Sequence, residues 1–181
     1  VSTLEEEAFA KLEAIQTIKT NQIENYFAER MGDVSVLSGN QTVIDAINAF
    51  ETAFEAEGDR TGGTQWNAAE SQYGSWLTQY EQEYGYYDLF LINQDGDVVY
   101  TVEAESDLGA NIVTGSLKTS SLGKAFTKGQ SGVALADFEP YAPSAGAPAA
   151  FVSAPVRDGG KTIGIVALQI PLNQINNIMQ A

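Results

Sequence analysis

The chain has 181 residues, 44% of them apolar, including eight tyrosines, eight phenylalanines and two tryptophans: enough for one well-buried core and too apolar for a disordered acidic tail. Nine lysines and arginines stand against 24 aspartates and glutamates, a formal charge of −15, which argues against a nucleic-acid partner because phosphates would be repelled. Without cysteine there is no disulfide or thiol chemistry, and without histidine the commonest general base and metal ligand is missing.

Thr3 to about Met31 reads as one long helix, with Leu4, Ala8, Leu12, Ile15, Ile23, Tyr26 and Phe27 recurring at three- and four-residue intervals. Glu5, Glu6 and Glu7 suit its first turn, Thr3 is a candidate cap, and Gly32-Asp33 is expected to break it. A second helix is expected from Thr42 to Glu57, and a third from Thr64 or Asn67 to about Tyr84, with Gly85 just past its end. On that third helix the aromatics Trp66, Tyr73, Trp76 and Tyr80 read as fastening, while Glu81 and Glu83 read as solvated surface.

The period then changes from 3.6 to 2. Tyr87 to Val102 reads as a hairpin turning at Asp95-Gly96, and the loop-like Ser106–Gly115 precedes a short helix from Ser121 to Lys128. Strands are expected at Gly132–Phe138, Ala149–Val156 and Thr162–Ile170, the last two joined by a turn at Arg157–Gly160. Pro171 ends the last strand, and Leu172 to Met179 turns helical. The layout is α+β: a five-stranded antiparallel sheet with a long N-terminal helix and further helices packed on it, as in PAS-like sensor modules. Residues 1–85 are expected to form the helical part, 86–171 the PAS-like sheet with its ligand-binding loop, and 172–181 a closing helix leading toward a membrane or a second module. The chain starts and stops in helical runs, as a segment of a longer protein would.

No nucleophile, base and metal ligand come together, so a binding surface is expected rather than an enzyme. Asp137 is the leading candidate: if the third strand alternates, Val133, Leu135, Asp137 and Glu139 share a face, and a carboxylate among apolar neighbours needs a cationic or hydrogen-bonding partner such as a ligand ammonium. Tyr141, Tyr100, Phe90, Phe151 and Ser153 are expected to complete an aromatic pocket with a few polar groups, between the sheet and the loop from 104 to 145. Asn93-Gln-Asp-Gly-Asp97 reads as a turn rather than a calcium loop, because Ala104 stands where a bidentate acid is required. Ser121-Leu-Gly-Lys124 reads as a hydroxyl capping the short helix.

The segments Tyr87–Tyr100, Ser121–Phe126, Asp137–Ser144, Pro148–Val152 and Gly164–Pro171 together resemble the extracytoplasmic Cache sensor domain of bacterial methyl-accepting chemotaxis proteins, and Ile15–Phe27 resembles the stalk helix of such receptors. The resemblance covers nearly the whole chain. It implies a periplasmic domain of an inner-membrane receptor, homodimeric in the full protein, whose flanking transmembrane helices lie outside this chain. That domain binds a small molecule (an amine, amino acid or small carboxylate) without cofactor or metal and passes a helix displacement across the membrane. The family's amino-acid-binding subset carries an Arg-Trp-Tyr cluster, and the equivalent stretch Trp76–Tyr84 has no arginine. The alternatives are a ligand-independent interaction or dimerisation module, and the sensor of a histidine kinase or cyclase.

Overall fold

The computed structural model describes residues 3–181. Helix α1 spans Thr3–Ser38 and, against expectation, does not break at Gly32. Val34 and Leu37, beyond the glycine, are the buried residues of this helix, and seating them outweighs the roughly 1 kcal/mol that a mid-helix glycine costs. The N-terminal half of α1 stands away from the body, leaving Leu4 82% and Ile15 52% exposed.

Helix α2 (Gln41–Ala56) opens at Asn40, whose side chain accepts from the Thr42 amide, and buries Val43, Ile44, Ile47, Phe50 and Phe54. Helix α3 (Thr64–Glu83) opens at Gly63, which has no side chain to cap with. Glu57 substitutes from the preceding loop, its Oε1 accepting from the amides of Gln65 at 2.6 Å and Trp66 at 3.1 Å. The indole of Trp66 donates to the Val99 carbonyl at 2.8 Å, so this aromatic does fasten α3 to the sheet.

Strands β1 (Asp88–Asn93), β2 (Val98–Thr101), β3 (Ala134–Pro140), β4 (Pro148–Asp158) and β5 (Lys161–Pro171) form one antiparallel sheet in the order β2-β1-β5-β4-β3. The β1–β2 turn is closed by its own side chains: Asn93 donates to Asp97 and accepts from its amide, and Asn111 donates to the Asp95 carbonyl and the Asp97 carboxylate. Gly96 at φ 88° supplies the left-handed residue this turn requires. Gly164 in central β5 lets α2 approach, since a β-carbon there would stand 2.5 Å from Ile47 Cδ1 and 2.3 Å from the Ile92 carbonyl oxygen.

The sheet separates two cores. On one face α1, α2 and α3 pack over Leu89, Leu91, Val99, Tyr100, Val152 and Leu168. On the other, helix α4 (Ser121–Gly129) and the surrounding connections form a flap over Phe90, Ile92, Phe151, Ile165 and Ala167. Ser120 rather than Ser121 caps α4, its hydroxyl accepting from the Gly123 amide, while Ser121 is buried one residue inside the helix. Helix α5 (Leu172–Gln180) continues directly from β5 and lies against α1, where Lys19 donates to the Ile178 carbonyl at 2.8 Å and to that of Ala181. Among the described residues no helix is long and apolar enough to cross a membrane.

Candidate functional site

Three of the six expected site residues come together beneath the flap. The Phe90 and Phe151 rings meet edge to face at 5.6 Å, and Tyr141 meets Phe151 at 5.1 Å. With Leu122, Phe126 and Ile112 they are buried in one cluster, so the space expected to be hollow is taken by the protein's own side chains. Ser153 lies on the same face, its hydroxyl donating to the Ala125 carbonyl at 2.7 Å and fastening α4 to β4.

The other two are elsewhere. Tyr100 packs on the opposite, helix-bearing face, stacked on Phe50 at 4.5 Å and beside Trp66 at 6.2 Å. Asp137 is exposed at the sheet edge, with Oδ1 accepting from the Phe138 amide at 2.7 Å. The expected alternation fails there because β3 bulges between Ala136 and Glu139. The extra residue breaks the phase that would have kept Asp137 in line with Leu135.

A polar cluster that sequence reasoning missed adjoins the aromatic plug. Asp88, Asp107 and Gln169 are buried, and Asp88 faces Gln169 across the β1–β5 ladder. Oδ1 of Asp88 accepts from the amides of Leu89, Val102 and Glu103 at 2.8–3.1 Å, which pins the chain where it leaves β2. Oδ2 of Asp107 accepts from the Tyr141 hydroxyl at 2.8 Å. Glu105 accepts from Tyr87 and from Ser144, and Ser144 in turn accepts from Gln169. Left over are acceptors: Oδ2 of Asp88, Oδ1 of Asp107 and Oε1 of Gln169 are buried with no hydrogen-bond partner.

Burial pushes the carboxyl of Asp88 up to about 8, with the Asp107 charge adding to it, while hydrogen bonds from the Glu103 and Leu89 amides pull the other way. Burial likewise raises Asp107 to about 6, against the hydrogen bond from Tyr141. Desolvation and the Asp107 carboxylate together push the Tyr141 phenol far above its ordinary value, so it stays a donor. A signal for two of these residues stood in the sequence. Asp88 shares the alternation of Phe90 and Ile92, and Gln169 interrupts the apolar run Ile165–Ile170. Asp107 carries none, since it lies in a turn whose burial depends on Tyr141.

No protein-family model matches the chain, and no curated protein matches it by sequence. Its fold is shared with known sensor domains. The sensor domain of the V. cholerae histidine kinase DctB superposes with a TM-score of 0.73 at 14% identity, over 97% of this chain and 60% of that one. The ligand-binding domain of the Pseudomonas fluorescens chemoreceptor CtaA, solved with L-serine, gives 0.62 at 13% identity over 96% and 63%. That of the Campylobacter jejuni chemoreceptor Tlp3, solved with 4-methylisoleucine, gives 0.64 at 11% identity over 98% and 64%. The chain thus spans 60 to 64% of the length of these structures, and the α+β Cache/PAS-like fold expected from its sequence is present.

Proposed function

We propose that this domain is the extracytoplasmic ligand-sensing input of a bacterial inner-membrane receptor, a chemoreceptor or a histidine kinase, and that its ligand is a small molecule with an amino group, such as an amino acid. The unpartnered buried oxygens of Asp88, Asp107 and Gln169 carry the proposal. Buried acceptors without donors are costly, and an ammonium group brings three N–H donors and a positive charge. The ligands named for the CtaA and Tlp3 structures both carry that group. No catalysis is assigned to the domain.

Ligand entry beneath the flap requires the Tyr141 turn to open, so the packed arrangement is the unliganded state, and the ligand shifts the equilibrium by its difference in affinity for the two. Gln169 lies two residues before Pro171, where β5 passes into α5, and Lys19 ties α5 to α1. A change at Gln169 is therefore transmitted as a displacement of α5 along α1, of the order of 1–2 Å found in helix-shift switches. In the whole receptor, the exposed Leu4, Leu12, Ile15 and Ile18 on α1 offer the face on which a second copy packs.

That exposed apolar face and the filled space beneath the flap also favour a second reading, a ligand-independent interaction module. A thermal-shift series with primary amines, amino acids and amine-free carboxylates separates the two. The sensing reading expects an amine or amino acid to raise the melting temperature in the unchanged chain and to lose that effect in Asp107→Asn. Stabilisation by amine-free carboxylates alone, or by no compound at all while dilution lowers the melting temperature, overturns it in favour of the interaction module.

A further inference from the structure

Asp88, Glu105 and Asp107 meet in the polar cluster without a basic side chain among them. Asp88 faces Gln169 across the β1–β5 ladder, Gln169 donates to Ser144 at 3.0 Å, and Ser144 donates to Glu105 at 2.9 Å. Tyr141 donates to Asp107 at 2.8 Å. Among the described residues the ion pairs lie elsewhere, joining Arg30 to Glu29 and Asp33, and Lys124 to Glu139. Arg157 and Lys161 flank the β4–β5 turn, where Lys161 stands eight residues from Gln169, about 26 Å away by the rise of the strand. The charges felt at Asp88, Asp107 and Tyr141 come from neighbouring carboxylates.

The chain's own donors are spent on these acids. The hydroxyls of Tyr87 and Ser144 both go to Glu105, that of Tyr141 goes to Asp107, and three backbone amides hold Oδ1 of Asp88. What remains is one oxygen each on Asp88, Asp107 and Gln169, in side chains no more than 2% exposed. Three acceptors match the three N–H groups of a primary ammonium. A trimethylated nitrogen brings no N–H, and a ligand carboxylate would add negative charge where neither a cation nor a free hydroxyl meets it. Beside the acceptors the surface is apolar. Phe151 is the β4 partner of Gln169, the Tyr141 ring lies 5.1 Å from it, and the small side chains of Ala149 and Ala167 are buried in the same cluster.

On the premise of the sensing role proposed above, we infer that the site beneath the flap takes a primary amine with an apolar body and discriminates against the amino acid that carries the same side chain. The ammonium answers Asp88, Asp107 and Gln169. The body takes the place against Phe151 that the Tyr141 ring holds while its turn is closed.

Isothermal titration of the full chain with matched pairs tests this: isobutylamine against valine, isoamylamine against leucine, and phenethylamine against phenylalanine. At least one amine is expected to bind saturably and at least about tenfold more tightly than its amino acid, the scale of one like-charge encounter. The N-trimethylated form of that amine should bind at least about tenfold more weakly than the amine, for want of N–H donors. Asp107→Asn, whose amide oxygen can keep the Tyr141 bond, should weaken the amine by at least about tenfold with the far-UV spectrum unchanged. An amino acid as tight as its amine overturns the inference and leaves the sensing role standing. A trimethylated form as tight as the amine, or amine binding undiminished in Asp107→Asn, also overturns it. Binding by neither member of any pair removes the sensing role as well.

Discussion

On the helix-bearing face of the sheet, Phe50, Trp66 and Tyr100 stack among aliphatic side chains, the Trp66 indole finds the Val99 carbonyl, and the Tyr86 hydroxyl finds Asp33. On the flap face the apolar cluster is smaller, and beside it Asp88, Asp107 and Gln169 leave acceptors with no donor. Both faces belong to the same five strands, so backbone hydrogen bonding does not distinguish them. What differs is where unanswered buried acceptors gather: Glu81 on α3 leaves a single oxygen, whereas Asp88, Asp107 and Gln169 leave three side by side on the flap face. A face that answers all its polar groups contributes stability, whereas one that leaves acceptors open holds binding capacity at a cost to stability.

Four measurements break or sharpen that contrast. The largest effect is expected on the helix face, where Phe50→Ala should cost about 4 kcal/mol in urea unfolding by removing a fully buried ring from a packed stack. A value below about 1 kcal/mol would mean that this face is not the dry core described.

The flap face and Glu81 should reveal themselves through pH. The folded chain holds protons on Asp107 up to about 6 and on Asp88 and Glu81 up to about 8, while unfolded carboxyls release theirs near 4. The stability these groups contribute is therefore complete below about pH 4 and is lost as pH rises through about 6 and 8. Melting temperatures at pH 5 and pH 8 check it, and a melting temperature higher at pH 8 would remove the strain attributed to these acids.

Next in size, Asp88→Asn should raise stability at pH 8 by about 2 kcal/mol, because an amide oxygen can keep the three backbone contacts while the orphan carboxylate oxygen and its charge disappear. Loss of stability instead would show that the second oxygen has a partner. The smallest effect belongs to the exposed half of α1. Ile15→Ser should change unfolding free energy by less than about 0.5 kcal/mol, the usual range for surface positions. The same change should reduce any self-association seen by analytical ultracentrifugation, and unchanged self-association would exclude this stripe as the contact.

Among the described residues, periodicity and turn residues were sufficient for the presence of the five α-helices and five strands, for the hairpin at Gly96 and for the closing passage of β5 into α5, though not for the 3-10 turn at Ala142–Ser144. They failed where a neighbour decides. The run of α1 through Gly32 depends on Val34 and Leu37 finding the sheet. Two of the six expected site residues were misplaced for the same kind of reason. Tyr100 sits across the sheet from Phe90 because the β1–β2 register pairs it with Leu91, and a change of one residue in register moves a side chain to the other face. Asp137 turns outward at a bulge that no spacing rule marks.

From the sequence alone follow the order of elements, the α+β class and the acidic, cysteine-free and histidine-free character that removes whole classes of chemistry, because these depend on local pattern and composition. The tertiary structure alone decided which carboxylates lost their water. Asp107 and Glu81 look like any other acids along the chain, Asp88 stands out only by its phase with Phe90 and Ile92, and what sets all three apart is desolvation, which arises from side chains distant in sequence closing over them.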